Sequence, residues 1–222
     1  MEQISILTNE QKIILDEVKK SNFIKTNFYL TGGTLLSFYY LQHRYSDDLD
    51  FFSEHKFETL SIFNLLHELG QKHHFTLSVR FNDPLYVANL IFENGQTLKV
   101  DFAHYPYKRL DQSLNVEGLA IDSILDIAVN KLLTVNQRND VKDFVDLYFL
   151  LNELKKYTVW DLMEGVKVKF RFEMEPILLG YDFLKVEKFA FLPKMIKPLE
   201  INELRGFFRK LALEVGGKAI EP

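Results

Sequence analysis

Cysteine is absent from the 222 residues, so neither a disulfide nor a thiolate metal site is available. Long apolar runs are missing too. The longest, LLSFYYL, falls far short of the roughly 20 residues a membrane-spanning helix needs. The stretch MEQISILTNEQK lacks a basic segment followed by an apolar one, so no secretory leader is read there. These absences lead to the expectation of a cytoplasmic protein with no membrane partner. Positive charge is not in excess either: 27 Lys and Arg stand against 31 Asp and Glu, a formal net charge of −4. That balance argues against a chain that coats nucleic acid by bulk electrostatics. Lysines do gather in the C-terminal half (Lys167, Lys169, Lys185, Lys188, Lys194, Lys197). They read either as solvated surface or as a surface for a polyanion.

What is present is a hydrophobic fraction of 47%, enough to build a core and to argue against disorder. Thr8 to Gln11 has the form of a capping box, and the apolar spacing after it predicts a helix from about Asn9 to Ser21. Short strands are expected at Phe28–Leu30 and Asp48–Phe52, with a buried helix over Thr34–Gln42 between them. An amphipathic helix over Phe57–Lys72 and alternating strands at 75–81, 86–92 and 97–102 follow. The last two strands are joined by Asn94-Gly95, a hairpin signal because both turn residues tolerate positive φ. From Ile121 onward five segments carry helical spacing. The chain therefore reads as α+β (α/β), a mixed sheet flanked by helices in residues 1–106, followed by a helical half, 107–222. The segment 107–120 is the junction between them.

Glycine is sparse, at 10 residues, yet two stand side by side in TGGTLLSFYYLQHRYSDDLDFF, Thr31 to Phe52. On a strand Asp48 and Asp50 share one face, with Leu49 and Phe51 on the other. Two carboxylates so close repel unless a cation lies between them, and Mg²⁺ (or Mn²⁺) held by one or two carboxylates plus substrate phosphates answers that need. A strand, Gly32-Gly33-Thr34 and a helix would present backbone N–H groups to phosphate. Asp101, amid apolar residues in Leu98-Lys99-Val100-Asp101-Phe102, is costly there unless paired or coordinated, and supplies a third acid for a two-metal site.

Other polar residues carry two readings each. Arg44 and Ser46 either brace the acidic strand or contact a substrate. Lys131 either neutralises negative charge or lies on a solvated helix face. Asp143 and Asp146, three apart on one helix face, either serve a site or complement a helix dipole. His73 and His74 have no spacing that suggests zinc. Tyr105 and Tyr107 read as core or as stacking partners for a base.

Leu30-Thr31-Gly32-Gly33-Thr34, with His43-Arg44-x-Ser46-x-Asp48-Leu49-Asp50-Phe51-Phe52, resembles the AbiEii/AbiGii toxin branch of the nucleotidyltransferase-like superfamily. Asp101 matches that pattern's third acid. Lys131, Arg138, Lys142-Asp143 and Asp146 match its helical block, with Lys142 where some relatives have arginine. The resemblance spans roughly residues 28 to 154. It implies a nucleotidyltransferase fold, an NTP substrate with Asp48, Asp50 and Asp101 as catalytic metal ligands, and Gly32, Gly33, Thr34, Arg44, Ser46, Lys131, Asp143 and Asp146 at the nucleotide. It further implies a toxin with a cognate antitoxin, and tRNA or other RNA as acceptor. A non-catalytic NTP-binding regulator and a small-molecule transferase are the alternatives on the same fold.

Overall fold

The computed structural model describes residues 6–218. Residues 1–5 and 219–222 lie outside it, the former including the start of the stretch read above for a leader. The Thr8 capping box forms as expected: the Thr8 hydroxyl accepts from Gln11 N–H and Gln11 Oε1 accepts from Thr8 N–H. It opens α1 (Asn9–Val18), and a second helix, α2 (Asn22–Asn27), takes up the rest of the segment before β1 (Tyr29–Thr31). The helix expected after the glycine pair begins at the first glycine: α3 (Gly32–Leu35) continues into a π-helical turn, Leu36–Leu41. Then follow β2 (Leu49–Ser53), α4 (Thr59–His73), β3 (Phe75–Asn82), β4 (Leu85–Phe92) and β5 (Thr97–His104).

The Asn94-Gly95 hairpin exists, but with a four-residue loop in which only Gly95 has positive φ (81°). The Asn94 side chain instead accepts from Gln96 N–H at 2.9 Å. A second hairpin occupies the expected junction: β6 (Leu114–Val116) and β7 (Leu119–Ile121), turning on Glu117 and Gly118, both with positive φ.

These strands make one mixed sheet, ordered β3-β4-β5-β2-β1-β7-β6. β2 runs parallel to β5 and antiparallel to β1, and β7 runs parallel to β1. The alternation of β2 is what splits the sheet into a core face and a site face. Leu49 and Phe51 are fully buried, and Phe51 stacks on its neighbour Phe102 at 5.3 Å between centroids. Phe28 meets Phe102 edge-on at 5.2 Å, closing an aromatic cluster under the strands that carry the acids. Phe51→Ala would cost about 3–5 kcal/mol on the usual scale for buried aromatics.

The chain divides into two compact units. Unit 1 holds the chain to Tyr40, with Ser46–Lys108 and Gln112–Ser123, and so contains the whole sheet. The boundary falls after Ser123 rather than at residue 106 because β7 is hydrogen-bonded into the sheet beside β1. Unit 2 holds Leu41–Tyr45, Arg109–Asp111 and the chain from Ile124. Its helices are α5 (Ile124–Gln137), α6 (Val141–Asn152), α7 (Val159–Phe170), α8 (Pro176–Phe183), which runs on as a 3₁₀ turn to Lys188, and α9 (Ile201–Lys218). Phe144 of α6 and Phe183 of α8 pack against Phe208 of α9 at 5.0 and 5.4 Å, which makes the core of that unit. Among the described residues no helix is long and apolar enough to cross a membrane.

Candidate active site

Asp50 on β2 and Asp101 on β5 are Cα partners across a parallel pair. Residues so paired share a face, and Lys99, two positions back along β5, shares it too. β2 begins at Leu49, one residue later than the sequence suggests, so Asp48 lies just before the strand, and its carboxylate is placed by its approach to Lys99. Three carboxylates and one ammonium therefore stand together on the site face of unit 1. The Lys99 amine donates to Asp101 Oδ2 at 2.6 Å and lies 3.7 Å from Asp48 Oδ2. Asp101 is only 8% exposed, and its Oδ1 is buried with no hydrogen-bond partner. Burial raises the Asp101 carboxyl above its usual range, with Lys99 pulling the other way. Burial would lower the Lys99 ammonium, but Asp101, Asp48 and Asp50 outweigh it and hold it up.

Gly32 serves this cluster in a way the sequence did not suggest. It sits at φ 77°, and a Cβ there would fall 1.9 Å from Asp50 Oδ2. The missing side chain makes room for a carboxylate rather than only for a phosphate. Gly33 and Thr34 are buried in the first turn of α3. The Thr34 hydroxyl donates to the Asp48 main-chain carbonyl, in a very short contact, and so fixes the entry of the acidic strand. Ser46 is held through its carbonyl, which accepts from the buried Gln11 amide at 2.9 Å.

Hard oxygen donors on one face, an orphaned buried carboxylate oxygen and a cation already seated against two of the acids fit a divalent metal. Among the described residues, however, no three His, Cys, Asp or Glu side chains converge as ready-made metal ligands. The amine of Lys99 stands where such convergence would begin.

The remaining expected nucleotide contacts are packed inside unit 2. Arg44 grips Asp146 with both arms, Nε to Oδ1 at 2.6 Å and Nη2 to Oδ2 at 2.9 Å. His43 Nε2 reaches the same Oδ1 at 2.7 Å. Lys131 lies 2.8 Å from Asp143 Oδ1 and 2.6 Å from Asp146 Oδ2, and Arg138 Nε donates to Asp143 Oδ2 at 2.6 Å. Asp143 and Asp146 are fully buried, and Arg44 and Lys131 nearly so. Burial alone would raise both carboxyls. Lys131 and Arg44 hold Asp146 well below the usual carboxylate range, and Lys131 and Arg138 lower Asp143. Burial pushes the His43 imidazole down despite Asp146. These charges are spent on one another.

Lys99 and His43 are the residues that sequence reasoning passed over. Lys99 had a signal, since position i−2 from a strand aspartate shares its face. The lysines of the C-terminal half are mostly neutralised. Lys169 pairs with buried Asp126 at 2.6 Å, Lys167 with Glu173 at 2.9 Å, Lys185 with Asp182 at 2.6 Å and Lys197 with Glu153, while Lys194 covers the Tyr45 ring. Tyr105 packs on Phe52 and Tyr107. A cavity of about 320 Å³ in unit 1, lined by Leu15, Leu35, Phe38, Tyr39 and Ile121 among others, includes none of the three acids.

The family described as "Nucleotidyl transferase AbiEii toxin, Type IV TA system" matches residues 14–215. The chain belongs to the AbiEii nucleotidyltransferase toxin family. An uncharacterized protein of Aquifex aeolicus (strain VF5), aq_aa25, is 37% identical over 174 residues, 74% of this chain and 76% of that one. Two crystal structures share the fold: JHP933 from Helicobacter pylori and a candidate nucleotidyltransferase from H. pylori. Each has a TM-score of 0.60 and 24% identity over 96% of this chain, covering 94% and 97% of their own. Membership makes the protein a nucleotidyltransferase of a toxin–antitoxin family, with an NTP as substrate and an antitoxin as counterpart.

Proposed function

We propose that this AbiEii-family enzyme transfers a nucleotide from an NTP to a hydroxyl of RNA, tRNA included, at the site face of unit 1. The observation that carries the proposal is the parallel register that sets Asp50 beside Asp101, with Asp48 on the same face and Asp101 Oδ1 left without a partner. Asp48, Asp50 and Asp101 would hold Mg²⁺ (or Mn²⁺). Bound there, the metal supplies positive charge at the triphosphate oxygens and at the attacking hydroxyl. The main-chain N–H groups at the start of α3, around Gly33 and Thr34, receive phosphate oxygens. The acceptor oxygen forms a bond to the α-phosphorus, the bond to the bridging oxygen breaks, and pyrophosphate leaves. The proton released by the hydroxyl passes to solvent, or to Asp101 where that carboxylate serves as the base instead of as a metal ligand. Gly32 acts by leaving space for Asp50. Arg44, Lys131, Asp143 and Asp146 act by fixing the fold of unit 2, and Ser46 through its main chain, instead of touching the nucleotide.

A second reading, transfer to a protein or small-molecule hydroxyl, is favoured by the pairing of the C-terminal lysines, which removes an obvious track for a polyanion. Incubating the protein with each α-labelled NTP, Mg²⁺, total tRNA, protein extract and small-molecule hydroxyl acceptors separates these outcomes. Label in RNA, lost in Asp48→Asn, supports the first reading. Label only in protein or in small molecules supports the second. Binding of NTP with no transfer to any acceptor would leave a nucleotide-binding regulator and defeat both.

A further inference from the structure

Resting on the metal-binding reading of Asp48, Asp50 and Asp101, we propose that Lys99 is an internal cation of the active site. Its ammonium holds the acids together in the empty enzyme and must move off them for a divalent metal to bind.

Lys99 sits on the same strand and face as Asp101, and the parallel pairing of β5 with β2 brings it beside Asp48. Its amine is 2.6 Å from one acid and 3.7 Å from the other. On the opposite side, in β4, the Cα partner of Lys99 is the neutral Asn89, and that of Asp101 is Val87. Lys99 therefore brings a positive charge to Asp101 and Asp48 that neither of these β4 positions supplies. Like charges at that spacing repel unless a counter-charge intervenes. The lysine supplies it from within the chain.

A divalent ion bound by Asp48 and by Asp101, even through the partnerless Oδ1, would come close to an ammonium seated against both residues. Two cations so near one another repel strongly even when screened. The exchange is sterically open. Lys99 carries its amine on a flexible four-carbon stem, and its side chain is 38% exposed, so it can leave toward solvent. Asp101, by contrast, is buried and keeps its place. The lysine thus lowers the affinity of the resting enzyme for free metal.

The test measures Mn²⁺ binding by electron paramagnetic resonance, in wild type and in Lys99→Met, without nucleotide or turnover. Lys99→Met is expected to bind Mn²⁺ about tenfold more tightly, since it removes a like charge from contact distance. Adding Asp48→Asn to that variant should erase the gain. In the wild type, Mn²⁺ should increase acetylation of Lys99 by acetic anhydride, read by mass spectrometry. This second measurement decides the matter should the variant fail to fold. Equal or weaker Mn²⁺ binding by a folded Lys99→Met, or unchanged Lys99 acetylation, overturns the exchange and leaves the three-acid site standing. Failure of both proteins to bind Mn²⁺ overturns the exchange and the metal-binding reading together.

Discussion

The two units each contain a cluster of aspartates, and the clusters are compensated to opposite degrees. In unit 2, Asp143 and Asp146 meet two arginines and a lysine, with a histidine added, at distances from 2.6 to 3.1 Å. In unit 1, three acids share the site face with one lysine, and a buried carboxylate oxygen has no partner at all. Burying charge costs several kcal/mol per ion unless partners repay it. The unit 2 cluster is fully buried and compensated by buried partners. In unit 1, Asp101 is buried with one oxygen that has no partner, while the Asp48 side chain is 43% exposed, so positive charge from a metal and a nucleotide would be favourable there.

The sharpest way to break this contrast is to neutralise one acid in each cluster. Asp48→Asn should cut nucleotidyl transfer by roughly 10²–10³-fold or more, the scale of losing one electrostatic contact to a transition state. Its thermal midpoint should stay level or rise, because a repelling charge has gone. Asp146→Asn should do the reverse. It leaves Arg44 and Lys131 buried against a neutral group, and breaking one side of such a buried pair costs about 3–5 kcal/mol. Urea unfolding measures that loss, and an Asp146→Asn protein of wild-type stability would overturn the scaffold assignment. Lys131→Ala belongs with it: lower stability is expected, with the NTP dissociation constant of the folded fraction unchanged.

Acid should separate the clusters by sign. The Asp146 carboxyl is held well below its unfolded value, so its contribution is present above about pH 3.9 and is lost as pH falls through the folded value. His43 is likewise depressed. Its share is present above about pH 6.5 and drains away as pH drops below that, because the unfolded chain takes up the proton first. The Asp101 carboxyl is raised, so its contribution runs the other way: present below about pH 3.9 and lost as pH rises through the folded value. At neutral pH, Asp101→Asn should therefore stabilise the protein. His43→Gln should flatten the fall in stability just below pH 6.5. Denaturant titrations at several pH values check both slopes.

Much of this arrangement was legible from residue order. The alternation Asp48, Leu49, Asp50, Phe51 is read directly from strand periodicity, and Asp101 stands out as an acid amid apolar residues on a later strand. Parallel register, which brings Asp50 level with Asp101, is a tertiary fact with no local signature. The β6–β7 hairpin was missed because its two-residue turn places Glu117 at φ 53°, a conformation glutamate rarely signals. Lys131, Asp143 and Asp146 were found through the family resemblance, yet a matched motif cannot tell a pair aimed at a ligand from one aimed at a buried arginine. Arg44 lies roughly a hundred residues away in sequence and closes their network only once unit 2 has folded.

The smallest effect is expected where the scaffold touches the site, at Thr34. A hydroxyl beside a glycine pair invites the reading that it binds phosphate, but here it donates to the Asp48 carbonyl and is buried. Thr34→Val keeps the shape of the side chain and removes only the donor. The loss of one such bond should lower stability by about 1 kcal/mol. Because Asp48 then enters its strand less firmly held, turnover should fall modestly while the affinity for NTP stays where it was. Calorimetric NTP titration alongside initial rates distinguishes the two roles. A fall in NTP affinity with unchanged stability would give Thr34 back to the phosphate and place it among the ligand-facing residues, whereas the expected result makes it the hydrogen bond that ties the glycine turn to Asp48.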